Sequence, residues 1–192
     1  MTESEKSIPK KISEGSTDFS DYLDTINRQI KDIEKLANEF SSFARMPSPI
    51  LKKKNIFLII KRAVDFMGLS SKNDIILTSH NKELYVNADE DQLYRVFINL
   101  IKNSEESLLE KKQIKVDFIG KINIEIRDDN GYIEVILRDN GVGIIDKKKV
   151  MTPYFTTKKT GTGLGLPIVN KIINEHSGDL SILSKKTDGV EI

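Results

Sequence analysis

Apolar residues along the chain fall into two regimes. Phe19, Leu23, Ile26, Ile30, Ile33, Ala37, Phe40 and Ala44 alternate in steps of four and three, a heptad seam that predicts one long amphipathic helix. Thr17 or Asp18 is placed to cap it, and Pro47 and Pro49 to end it. One apolar seam cannot be buried by the helix that carries it. It packs either on the domain that follows or against another helix, and the regular heptads favour a dimer or bundle. Residues 1–16 are rich in Ser, Lys and Glu and are expected to form a disordered tail.

Beyond the prolines the pattern changes. A helical stretch is expected around Ile56 to Met67, then strands at Ile75 to Thr78 and Leu84 to Asn87. Asp89 opens a helix through about Leu109, with Leu93, Val96, Phe97, Leu100 and Ile101 on one face. Lys121 to Arg127 and Tyr132 to Arg138 alternate apolar and polar, and Asn130-Gly131 between them favours a type I′ hairpin. A last helix covers about Leu164 to His176 and is closed by Gly178, with strands at Leu180 to Leu183 and Val190 to Ile192. The organisation is a tail over 1–16, a helix over 17–49 and an α+β domain over 50–192.

Composition narrows the chemistry. The 192 residues include no cysteine, which excludes disulfides, thiol catalysis and Cys-based zinc sites. A net charge of +1 supplies no basic field for nucleic acid. The longest apolar run, Ile56 to Ile60, is far short of the roughly 20 residues of a membrane span. Neither nucleic-acid binding nor membrane insertion is expected, and the expected location is cytoplasmic.

Three segments carry candidate chemistry. Asn99 and Asn103 lie one turn apart on one helical face, where two amide oxygens suit a hard cation such as Mg²⁺, which takes few protein ligands. Asp139-Asn140-Gly141-Val142-Gly143 follows a strand; a carboxylate there can accept a hydrogen bond from an exocyclic amine such as that of adenine. Gly161-Thr162-Gly163-Leu164-Gly165 runs into a helix whose exposed amides favour phosphate. Before it, Pro153 to Lys159 brings hydroxyls and lysines suited to a lid. Each segment alone also reads as surface amides, an ordinary turn or a solvated loop.

Their order and spacing together resemble the ATP-binding domain of sensor histidine kinases, Hsp90-type chaperones, type II topoisomerases and MutL. Asp91 to Ser104 is similar to the N box, Asp139 to Gly143 to the G1 box, Pro153 to Lys158 to the F box and Gly161 to Leu166 to the G2 box. The resemblance implies a two-layer α/β sandwich, a mixed sheet with helices on one face, behind one long dimerisation-type helix. It implies ATP and Mg²⁺ as cofactors, with Asn103 as the main Mg²⁺ ligand and Asn99 as a second candidate ligand and catalytic position. Asp139 reads the adenine amine, with Gly141 and Gly143 beside the base. Lys158 and the backbones of Gly161, Gly163 and Gly165 hold phosphates, with Thr157 and Leu164 nearby.

ATP-hydrolysing branches carry a Glu at the position of Asn99, and an amide cannot take a proton from water. The resemblance is therefore to the phosphotransferases. Ile26 to Pro49 resembles the second dimerisation helix of nitrogen-regulation sensor kinases of the NtrY type. Neither His80, in a polar region read as a hairpin, nor His176, at a helix end, fits a phosphoacceptor box. The expectation is a family member shortened at its N-terminus. It acts on a histidine supplied in trans by a homodimer or hetero-bundle partner, with a response regulator downstream. The alternatives are an inactive ATP-binding remnant or a regulatory partner of a full-length kinase. A serine kinase of the anti-sigma type ranks lower, because it lacks the long helix.

Overall fold

The structure is a computed structural model that describes residues 14–129, 131–158, 161–184 and 189–192, with side chains omitted at 14–18, 35 and 42. It divides into two units, residues 1–44 and 45–192. The first unit contributes helix α1, Glu14–Ala44. The helix begins earlier than expected, so Thr17 and Asp18 lie inside it and neither is the cap. Residues 14–16 of the expected tail are helical, and the rest of that tail lies outside the described residues. Every seam position is helical, and Phe19, Leu23, Ile26, Ile30 and Ile33 are solvent-exposed in the single chain.

The second unit runs β1 Lys52–Asn55, α2 Ile56–Gly68, β2 Asp74–Ser79, β3 Tyr85–Ala88, α3 Glu90–Ile114, β4 Lys121–Asp129, β5 Tyr132–Asp139, α4 Gly165–Glu175, β6 Leu183–Ser184 and β7 Val190–Glu191. A five-stranded sheet has the order β2-β4-β5-β7-β6. Among the described residues only β2 and β4 pair in parallel; the remaining pairs are antiparallel. This is the mixed α/β arrangement the sequence predicts. β1 and β3 form a separate two-stranded sheet. The stretch around His80 is therefore not a hairpin, because β2 and β3 take different partners. The strand β1 was not anticipated: its Lys-Lys-Lys-Asn sequence has no apolar alternation, and it is held by backbone pairing to β3 and by Lys53 over the Tyr85 ring.

Register explains the layers. Ile122, Ile124 and Ile126 of β4 stand opposite Asp139, Leu137 and Val135 of β5, and beside Ile75, Leu77 and Ser79 of β2. This face meets the helices: α2 packs on β2, and α3 on β4 and β5. The other face carries Glu125, Arg127, Glu134 and Arg138. Arg127 donates to Glu125 at 2.7 Å, and Arg138 pairs with Glu125 and with Glu191 of β7. Helix α3 lies between α2 and α4 and buries Leu93, Val96, Phe97, Leu100, Ile101 and Leu108.

Helix ends are chemically specified. Asp89 caps α3 by accepting from the Gln92 N–H at 3.1 Å; Glu90 and Asp91 occupy its first turn and Lys111 and Lys112 its last, matching the helix dipole. The helix extends past Leu109 because Glu110 to Gln113, although lacking an apolar stripe, are good helix formers. The Asp89 N–H in turn donates to His176 Nε2 at 3.0 Å, which leaves Nδ1–H to donate to Ile172 O at 2.8 Å. Both ring nitrogens are committed, so His176 is a structural residue. His80 is exposed at the end of β2. The final strands are shorter than expected: residues 180–182 are not in β6, although Ile192 still exchanges two hydrogen bonds with Leu137 beyond β7.

The end of α4 corrects the role given to Gly178. Ser177 N–H donates to Asn174 O and Gly178 N–H to Ile173 O, a Schellman pair, and the left-handed residue is Ser177, with φ of 59°. An L-residue there carries a Cβ cost that glycine avoids. Ser177→Gly is expected to stabilise the domain by about 1 kcal/mol, read as a higher urea midpoint at unchanged slope.

Candidate functional site

One side of α3 organises the site. Asn99, Asn103, Ser107 and Lys111 recur every four residues and form a polar stripe beside the buried apolar face. Asn99 donates its amide to Arg95 O at 2.9 Å. Its Oδ1 and both amide atoms of Asn103 surround Gly165, the first residue of α4; a Cβ on Gly165 would lie 3.6–3.7 Å from them. Two amide oxygens thus face the amino end of α4, where backbone N–H groups have no helical acceptors. Amide oxygens at these positions suit Mg²⁺ delivered with phosphates. Among the described residues no cluster of three or more His, Asp or Glu is assembled, so nothing resembles an all-carboxylate metal cage.

The carboxylate meets α3 at Ser104, the residue after Asn103. Asp139 ends β5 and is buried. Oδ1 accepts from the Gly141 N–H at 2.9 Å and Oδ2 from the Ser104 hydroxyl at 3.0 Å. Burial raises its pKa above the usual aspartate value; Gly141 N–H, Ser104 OH, the Val190 backbone and the Lys158 charge oppose that rise without cancelling it. The loop after it is clamped to α3. Val142 N–H donates to Ser107 Oγ at 3.0 Å, and Lys111 Nζ donates to Asn140 O at 2.6 Å and Gly141 O at 3.0 Å. A Cβ on Gly141 would lie 2.8 Å from the Ser107 Cβ, so the close approach requires glycine. Gly143 lies towards β6, where Ile144 N–H donates to Ser184 Oγ at 2.7 Å.

The third part is the segment before α4. Tyr154 N–H donates to Gly163 O at 3.1 Å, and Gly163, at φ 70°, has the Phe155 carbonyl where a Cβ would stand, 2.6 Å away. Gly161 fits against Thr156 and Lys158, and Thr156 Oγ1 accepts from the Lys158 N–H at 3.0 Å. Lys158 reaches α3: its Nζ pairs with Glu106 at 2.5 Å and lies 3.5 Å from Asn103 O. Thr157 is exposed. Leu164 is fully buried, so its side chain belongs to the core and only its backbone can face a ligand. Lys159 of the expected lid and Asn130 of the expected turn lie outside the described residues.

The structure thus brings Asn99, Asn103, Lys158, Gly165, Asp139 and Gly141 to one side of one helix. Sequence reasoning missed Ser104, Glu106, Ser107 and Lys111. The four-residue recurrence from Asn99 to Lys111 was the available signal, because it marks one polar face.

Two variants probe this arrangement. The folded-state pKa of Asp139 is raised, so its contribution to stability is complete below the unfolded value of about 3.9 and is lost as pH rises through the folded value. In Asp139→Asn the amide can still accept from Gly141 and reach Ser104. Ligand-free Asp139→Asn should therefore gain stability relative to the parent as pH increases from acid to neutral, measured by urea unfolding across that range. Gly189 has φ of 84°, and its absent Cβ would overlap the Asp139 carbonyl. Gly189→Ala should cost more than about 2 kcal/mol in the same assay, because backbone must move.

Comparison with known proteins bears on the family and the fold. Residues 88–192, more than half of the chain, match the family described as histidine kinase-, DNA gyrase B-, and HSP90-like ATPase. A sensor histidine kinase NtrY-like protein of Rickettsia conorii is 34% identical over 178 residues, which cover 91% of this chain and 29% of that protein. The chain therefore spans less than a third of that relative's length. The nucleotide-free catalytic domain of histidine kinase ThkA superposes with a TM-score of 0.63 at 29% identity, covering 73% of this chain and 91% of that domain. A structure of ThkA in complex with the response regulator TrrA covers 97% of this chain and 51% of its own, with a TM-score of 0.68 at 21% identity, a likeness of fold. A mixed sheet under three helices, an amide pair facing a glycine-rich helix start and these matches converge: the chain belongs to the histidine kinase-, DNA gyrase B- and HSP90-like ATPase family, as a catalytic domain of the sensor histidine kinase type.

Proposed function

We propose that this domain binds ATP with Mg²⁺ on the polar side of α3 and transfers the γ-phosphoryl group to a histidine on another chain. The observation that carries the reading is the convergence of Asn99, Asn103, Lys158, the start of α4 and Asp139 on that side of the helix. Asp139 accepts from the adenine amine, with the Gly141 to Gly143 backbone beside the base. Asn103, with Asn99 as second ligand, holds Mg²⁺, which supplies charge neutralisation on the phosphates when bound. Lys158, Thr157 and the backbones from Gly161 to Gly165 face the phosphate chain. No carboxylate occupies the Asn99 position, which supports transfer over hydrolysis.

The acceptor histidine comes from a partner. His176 has both nitrogens engaged, and His80 sits at a strand end in the second unit. The exposed seam of α1 supports pairing, in a homodimer or with a chain that supplies a first dimerisation helix. A response regulator is the downstream acceptor, by analogy with the ThkA–TrrA complex. Among the described residues no helix is long and apolar enough to cross a membrane, and we place the reaction in the cytoplasm. The second reading is an ATP-binding module that regulates a full-length kinase without transferring phosphate. The exposed seam of α1, which can pair with a helix of such a kinase, supports it.

MgATP at about one hundred times its Kd should stabilise the folded chain by about 2.7 kcal/mol, raising Tm by roughly 5–10 °C. Absence of a shift at millimolar MgATP, with no heat by calorimetry, refutes the nucleotide site. With binding established, radiolabelled ATP is added together with a dimerisation domain bearing an intact histidine box. Acid-labile label on that domain supports the kinase; binding without label supports the regulatory module.

A further inference from the structure

The reading of Asp139 as the base-recognising carboxylate leaves one buried polar group unexplained. Ser104 is buried on α3, and its hydroxyl is directed at Asp139 rather than at solvent. We propose that Ser104 is a positioning residue for base recognition: its hydroxyl, donating to Oδ2 while the Gly141 N–H donates to Oδ1, fixes the orientation of Asp139 and keeps it a hydrogen-bond acceptor. The inference rests on the nucleotide site proposed above.

The chemistry follows from the two possible forms of the carboxyl. An ionised carboxylate only accepts, so it matches an exocyclic amine and repels the carbonyl at the same position of guanine. A protonated one also donates, and the discrimination is lost. Gly141 N–H is a fixed donor, so a proton on Asp139 would settle on Oδ2, the oxygen that Ser104 occupies. Burial disfavours charge there, while the Gly141 and Val190 backbones and Lys158 favour it. The residues paired with Asp139 on β4 and β7 are Ile122 and Val190. Lys158 acts on it from the lid segment, partly neutralised by Glu106 of α3. Lys111 of α3 is bound to the carbonyls of Asn140 and Gly141. Arg138, next in the chain, lies on the opposite sheet face with Glu125 and Glu191. Ser104 is the side-chain hydroxyl that bonds this carboxylate directly.

The test uses the full chain, its Ser104→Ala variant, and both in the Asp139→Asn background. The Asp139 carboxyl carbon is followed by NMR through a pH titration without ligand, and MgADP and MgGDP affinities are measured at several pH values. Ser104→Ala should titrate Asp139 at higher pH. It should bind MgADP about tenfold more weakly at neutral pH, with a loss that grows as pH falls and a narrower preference over MgGDP. In the Asp139→Asn background the same substitution should leave the pH profile unmoved. An unchanged Asp139 titration, or a MgADP loss equal at every pH, overturns the positioning role. If neither protein binds MgADP the nucleotide reading fails, while the titration still decides whether Ser104 controls Asp139.

Discussion

A carboxylate taken out of water where the central helix crosses the sheet constrains much of the surrounding geometry. Asp139 is held from α3 by Ser104 and from its own loop by Gly141, and its carbonyl lies where a side chain on Gly189 would stand. Those contacts fix how close α3 lies to β5, how the loop leaves β5 and why glycine must stand just before β7. A buried charge of this kind costs stability. On the reading proposed above, base recognition is what retains it, a trade of stability against function.

The remaining charges are arranged differently. On the open face of the sheet, Glu125, Arg127, Arg138 and Glu191 form a chain of partly exposed ion pairs across β4, β5 and β7. Exposed pairs contribute little individually; here they complement one another across the strands. Stability of the second unit instead comes from the apolar layer between Ile122, Ile124, Ile126 and Leu137 on the sheet and Val96, Leu100 and Ile101 on α3. The polar stripe of α3 runs alongside that layer, so one helix carries both core and site.

Much of this was legible in the sequence. The apolar face from Leu93 to Ile101, the alternation of the two central strands and the heptads of α1 follow from periodicity alone, and the glycine-rich segments marked the loops. The unreadable parts have physical causes. Strand β1 is three lysines and an asparagine, paired with β3 through its backbone and the Lys53–Tyr85 contact, and no apolar alternation reports such pairing. The end of α4 hinges on Ser177 in a left-handed conformation that sequence rules assign to glycine. Leu164, read as a phosphate neighbour because of its place among glycines, turns its side chain into the core. Ser104 was overlooked because it lies outside the four-residue recurrence, and a lone serine on a helix carries no signal until the strand it faces is known.

The Lys158–Glu106 pair gives the lid a property beyond its geometry. A polyanion that recruits Lys158 does not gain a free cation; it exchanges one carboxylate partner for another anion. The lysine therefore contributes only the difference between two ion pairs, and the carboxylate released on α3 is left to face the incoming negative charge. Such an exchange favours a ligand with several charges, or one accompanied by a divalent cation, over a single phosphate. On the proposed reading the pair sets a threshold on the ionic character of the ligand, through one glutamate.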